Sequence, residues 1–189
     1  NGVIPRFGHI FQNGNILIAF SQNIDLSTDN LSTLNEITVK AIDGSDYVGG
    51  TNSFYKIIHN PPIFVNEKEM FIFGTYSTKT GVAHDNINVF YSVDNGATIK
   101  SCYKAGVTNP PLLGARHIHA TNYRSYDDTY WVTTGDNESP YTGEANVIKG
   151  SYNWETDVWT WSKVAGDLDA GCTYKIVSIY FPDADTAIC

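Results

Sequence analysis

The chain has 189 residues, a net charge of −8 at neutral pH and a hydrophobic fraction of 42%. That is about one domain's length with enough apolar content for a sizeable core. The acidity, with no clustering of Lys or Arg, argues against a phosphate-backbone ligand, so no nucleic-acid partner is expected. No apolar run approaches the ~20 residues that a membrane-spanning helix needs, so no membrane insertion is expected either.

Tyr (12), Phe (9) and Trp (4), with abundant Thr, Ile and Val, favour strands over helices. Ala, Leu, Glu and Lys form no long amphipathic run, and helix content near zero is expected. The chain opens Asn1-Gly2-Val3, with neither an initiator Met nor a signal peptide, as a mature form or a piece of a longer chain would. Three cysteines, Cys102, Cys172 and Cys189, lack CxxC spacing and allow at most one internal bridge. Asn30-Leu31-Ser32 and Asn137-Glu138-Ser139 are glycosylation sequons that matter only in a secreting host.

In chain order, the first unit spans about 5–43. Gly8 begins an apolar strand, Asn13-Gly14 marks a turn, and Asn15 to Phe20 is a second strand. A third strand leads into Ser27-x-Asp29, and a fourth is predicted at Glu36 to Lys40. The segment Ser45 to Tyr55, rich in Gly and Asn, reads as a connection. The second unit, about 57–105, repeats the order around "FYSVDNGATIK", where Ser92, Asp94, Gly96 and Thr98 alternate before Ile99. Asp and Asn accept hydrogen bonds from backbone N–H groups two residues on, and Gly takes the positive φ of a tight turn. The Ser-x-Asp signals lie 65 residues apart (92 minus 27). After the Pro-rich connection Thr108 to Gly114, a third unit, about 114–167, carries Ser151-x-Asn153 in the same place. Residues 172–189 look like the first strand and turn of a fourth copy.

Units of four short strands repeating at about this spacing indicate an all-β fold, a β-propeller of four-stranded antiparallel blades. Three blades and the start of a fourth form one partial propeller domain over 1–189, an arc of a six- or seven-bladed ring. A β-sandwich of unrelated hairpins is the alternative, and the shared order of turn signals weighs against it. Because an arc leaves flanks uncovered, the remaining blades of a longer chain, or other subunits, are expected as partners.

Ser92 to Ile99 resembles the Asp-box, or BNR repeat, of sialidase-like propellers, S-x-D-x-G-x-[ST]-W, with Ile99 in place of Trp. Ser27, Asp29 and the residues to Leu34 form a weaker copy without the Gly. The resemblance implies that these boxes are structural: the Asp caps the turn, and the aromatic position packs between sheets on the outer rim. "PRFGHIFQNGNILIAF" is also similar to the first sialidase blade, where an Arg-Ile-Pro motif precedes a strand. Arg6 stands in the Arg position, with Pro5 before it and Phe7-Gly8 in place of Ile-Pro. The chain's only arginines are Arg6, Arg116 and Arg124, and no nucleophile Tyr is assigned, so a complete sialidase site is not expected from this chain alone.

Propeller ligands bind near the inner strands at one mouth of the channel. There the candidate catalytic residues are His117, His119, Arg116 and Tyr123, and the candidate ligand contacts are Arg6, His9, His59 and Asp136. His84, in a loop, is expected in solvent. His117 and His119 alternate, which puts both side chains on one side of a strand. With a carboxylate such as Asp136 the pair suits zinc, or a metal such as calcium. The same pair beside an Arg suits a general base next to a bound carboxylate. The residues also fit a plain packing role.

Two function classes follow. One is a carbohydrate-active propeller, a glycoside hydrolase or polysaccharide lyase acting on or binding acidic glycans. The alternative is a non-catalytic carbohydrate- or protein-binding propeller module of an extracellular or viral tail-fibre-like protein. Either implies an extracellular, periplasmic or virion-surface location. The richness in Asn, Thr, Tyr and Trp suits sugar contacts in both.

Overall fold

The computed structural model describes residues 4–48, 54, 57–59, 63–65, 68–75, 87–112, 115, 117–135, 145–166 and 176–189. Among the described residues fourteen strands account for the regular structure, and there is no helix. Nothing among them is a helix long and apolar enough to cross a membrane.

Sheet I is an antiparallel meander of β1 (Phe7–Ile10), β2 (Ile16–Ala19), β3 (Ile24–Ser27) and β4 (Asn35–Glu36). The fourth strand expected at Glu36 to Lys40 divides. Its first part stays in sheet I as β4, whereas β5 (Val39–Lys40) leaves to pair in parallel with the outer strand of sheet II, Ile99 opposite Val39. The reason is burial: Val39 is 6% exposed, in a cluster with Ile99, Phe90 and Phe54.

Sheet II contains β6 (Ile57–His59), β7 (Ile63–Val65), β8 (Lys68–Thr75), β9 (Asn88–Ser92) and β10 (Ile99–Lys104). Both β6 and β7 run antiparallel to β8, and their registers differ by one residue: Ile57 faces Thr75, whereas Ile63 faces Met70. Both therefore pair with the same strand, β6 with its C-terminal part and β7 with its N-terminal part. Sheet III is a four-strand meander, β11 (Ile118–Arg124), β12 (Thr129–Thr134), β13 (Asn146–Asn153) and β14 (Val158–Ala165).

The three sheets stack face to face with sheet II in the middle. Successive side chains on a strand point to opposite faces, and β8 buries both sets. Phe71 and Phe73 pack with Phe11, Leu17, Ala19 and Ile24 of the sheet I side, while Met70 and Ile72 pack with Ile118, Tyr130, Val132 and Ile148 of sheet III. This explains the unbroken apolar run Met70 to Phe73, since neither face meets water. Each such fully buried side chain contributes about 1.5–3 kcal/mol. At Gly74 the approach is so close that any side chain would strike Ile118.

Past sheet III, the described part of the expected fourth copy is a closed turn rather than a paired strand. Tyr180 and Ile188 exchange two backbone hydrogen bonds of 2.8 Å. The turn lies against β11 and β12: the Phe181 ring is 5.0 Å from Trp131, and Tyr126 Oη donates to the Pro182 carbonyl at 2.9 Å.

Candidate functional site

The two turns singled out by the Ser-x-Asp signal are the same device, bond for bond. Ser27 Oγ donates to Asp29 Oδ1 at 2.9 Å, and Ser92 Oγ to Asp94 Oδ1 at 2.8 Å. The N–H groups of Leu31 and Gly96 donate to those serine oxygens at 2.9 and 3.0 Å. Asp29 then accepts from Thr33 N and Oγ1, at 2.9 and 2.7 Å. Asp94 accepts from Thr98 N and Oγ1, at 2.9 and 2.6 Å. Where Gly96 has φ 82°, Leu31 is forced to φ 67°. The hydrogen bond from Thr33 Oγ1, with those from Thr33 N and Ser27, holds the Asp29 carboxyl below the ordinary range. Ile99, next after Thr98 of the second turn, is fully buried. The third turn is simpler, with Asn153 Oδ1 accepting from Glu155 N and Thr156 N at 2.9 and 3.0 Å.

These turns lie at one end of the stack. Asn15, in the β1–β2 turn, donates to the Asn95 carbonyl at 3.0 Å, and Tyr91 reaches Asp157 in the β13–β14 turn. At the opposite end the chain leaves β8 at Thr75 to return at Asn88, and leaves β12 at Thr134 to return at Asn146. Both exits use one further repeated device, in which the threonine Oγ1 accepts from the asparagine N–H at 3.1 Å. Short turns of fixed chemistry close one end, and β8 and β12 end, and β9 and β13 begin, at the other.

The candidate residues divide between these ends. His117 and His119 sit at the second of these, where β11 begins beside Gly74 of β8. His119 falls at a break in register, because Ile118 faces Thr134 and Ala120 faces Thr133. A β-bulge of this kind re-aims a side chain. Here the two imidazoles stack with centroids 4.7 Å apart, and their Nε2 atoms are 2.8 Å apart. In this hydrogen bond one ring nitrogen donates and the other accepts. His117 is buried and His119 half-buried. Arg6 is at this end too, its Nε 3.4 Å from Ser21 Oγ in the β2–β3 turn.

His9 does not join them. Expected among the ligand contacts, it lies instead in the interface of sheets I and II. It is 7% exposed, stacked on Phe71 at 4.4 Å and edge-on to Phe11 at 4.6 Å. Its Nε2 is 2.9 Å from Glu69 Oε1, and Glu69 Oε2 accepts from Gln12 N at 2.8 Å. Glu69 lies five residues along β8 from Gly74, roughly 17 Å, and on the opposite face of sheet II. His9 is therefore a clamp between two sheets. Glu69 itself was missed, and its only signal in the sequence is a carboxylate set directly before the apolar run Met70 to Phe73.

Tyr123 lies six residues beyond His117, about 20 Å along the strand. Its hydroxyl donates to Asp128 Oδ1, and burial followed by that carboxylate pushes the phenol's pKa up. The structure does not bring it to the histidine pair. Arg116, Asp136, His84 and Cys172 lie outside the described residues. His59 is placed only by its backbone, opposite Phe73 in β6. Among the described residues no group of three His, Cys, Asp or Glu side chains is arranged to hold a metal ion, so the zinc or calcium reading rests on Asp136. Cys102 is a buried thiol raised by burial, and Cys189 is an exposed free thiol.

A search of protein-family models finds no match to the chain, and a search of curated proteins finds none.

Proposed function

We propose that the chain is an arc of an Asp-box, sialidase-like β-propeller, and that the end bearing Arg6, His117 and His119 recognises acidic glycans. The observation that carries this reading is the pair of box turns, which share every side-chain hydrogen bond and close the end opposite the histidines. Turns that fixed cannot adapt to a ligand, whereas long connections over a rigid scaffold are where binding residues concentrate. Arg6 supplies a permanent cation, and the histidine pair supplies ring N–H donors. Both suit a carboxylate-bearing sugar. The outer face of sheet I, with Ile10 66% exposed, is where the remaining blades, from a longer chain or other subunits, would pack.

Within this reading the glycan is either turned over, by glycosidase or lyase chemistry, or only bound. Tyr123 favours binding, since its phenol is engaged at the other end. The chain is then a recognition module of an extracellular or virion-surface protein. The test uses immobilised acidic polysaccharides. Changing His117 and His119 together to Ala should weaken retention at least tenfold. Asp94→Ala should cost about 1–2 kcal/mol of stability, the worth of a charged acceptor in a turn, and leave retention by the folded protein unchanged. Equal retention by the double variant and the wild type would refute the assignment. Release of new reducing ends or unsaturated uronates would decide for turnover.

A further inference from the structure

A groove of about 550 Å³ opens along the outer edge of sheet II, between the chain following β5, strand β10 and the start of β14. That size suits a small ligand, for which sites of roughly 300–1,000 Å³ are usual. Tyr91 and Trp159 line it, and Ile42 and Val158 offer apolar contacts that are 38% and 50% exposed. Its polar centre is an ion pair, Lys100 Nζ to Asp157 Oδ2 at 2.5 Å, whose side chains are 40% and 43% exposed. The other carboxylate oxygen is engaged, because Tyr91 and Tyr152 both donate to Oδ1, at 2.5 and 2.8 Å. The two phenols fix the carboxylate plane and turn Oδ2 toward the lysine and solvent. Burial raises the Asp157 carboxyl, but Lys100 and the two tyrosines outweigh it and hold the group below the ordinary range, so it is an ionised acceptor at neutral pH.

We propose that this groove is a carbohydrate site separate from the histidine end, taking a neutral pyranose with vicinal hydroxyls. An acceptor and a donor fixed side by side match two neighbouring ring hydroxyls: one donates to Asp157 Oδ2, and the next accepts from Lys100 Nζ. The aliphatic side chains of Ile42 and Val158, both exposed, offer apolar contact to the C–H face of the sugar. A phosphate or carboxylate ligand fits less well, since Asp157 would repel it and Lys40 is held by Asp46 at 2.5 Å. The site draws on β10, β14 and the chain after β5, so it does not depend on the reading of the opposite end.

The experiment is an NMR titration of the whole chain with a panel of neutral methyl pyranosides, followed by calorimetry on any that shift the spectrum. The expected result is saturable binding that moves the Trp159 indole and Lys100 signals. Affinity should fall at least tenfold in Asp157→Asn and in Lys100→Gln, and stay unchanged when His117 and His119 are both Ala. Asn tolerates the left-handed φ of 55° at position 157, and Lys100→Gln provides an independent variant should Asp157→Asn fold poorly. No saturable binding by any pyranoside, or binding indifferent to both groove variants, overturns the proposal. Binding lost only with the histidines overturns it as well.

Discussion

Replacing Gly74 by Ala tests whether sheets II and III pack as closely as described. A Cβ built there would stand 2.3 Å from Ile118 Cγ2, 2.4 Å from its Cβ and 2.7 Å from its Cγ1. The Cβ contact decides the outcome. It is one bond from the backbone, so no change of rotamer relieves it, and β11 must move away from β8. Overpacking of this kind costs about 1–3 kcal/mol. Restricting the unfolded chain returns about 0.4–1 kcal/mol. The expected net loss is about 1–2 kcal/mol. Gly8→Ala is the matched control, because its Cβ would meet only the Leu17 carbonyl at 3.8 Å, an ordinary contact. Urea unfolding followed by tryptophan fluorescence measures both, since Trp159 and Trp161 pack against the same interface. A Gly74→Ala midpoint equal to that of Gly8→Ala, with unchanged slope, would refute the face-to-face packing.

Leu31→Gly should stabilise the protein by about 0.5 kcal/mol, as relief of a left-handed Leu slightly exceeds the entropy cost of Gly; Leu31 is 51% exposed and loses little burial, and a loss of stability in thermal melts would count against the shared turn geometry. Glu69→Ala should cost about 3 kcal/mol by leaving the buried His9 and Gln12 groups short of their acceptor, with Glu69→Gln less damaging in the same urea assay; equal effects would show that the clamp is only packing. The lowered Asp157 pKa fixes a sign: its contribution is complete above the ordinary value of 3.8 and is lost as pH falls through and below it. The stability gap between wild type and Asp157→Asn should therefore narrow between about pH 5 and pH 3, and a gap that widens on acidification would contradict the assigned partners.

The sequence revealed what local geometry determines. A Ser-x-Asp turn is written in the spacing of its own donors and acceptors, so both turns were readable. Partners brought together by the tertiary fold were not. Nothing between Glu36 and Lys40 marks the point where the chain changes sheets, because Val39 and Ile99 meet only when the sheets stack. His9 looked like a site residue because its carboxylate lies 60 residues away. The Lys100–Asp157 pair, 57 residues apart, was invisible for the same reason. One signal was available and unread: Thr75 with Asn88-Val89, and Thr134 with Asn146-Val147, mark the same strand exit in two units.

Hydrogen–deuterium exchange, with and without a saturating acidic polysaccharide, tests most directly the claim that one end folds and the other binds. Protection is expected in the amides from His117 to Ala120 and around Arg6 and Ser21, while those of the box turns, Asp29 to Thr33 and Asp94 to Thr98, exchange as before. Protection confined to the box turns, with the start of β11 unchanged, would contradict the account.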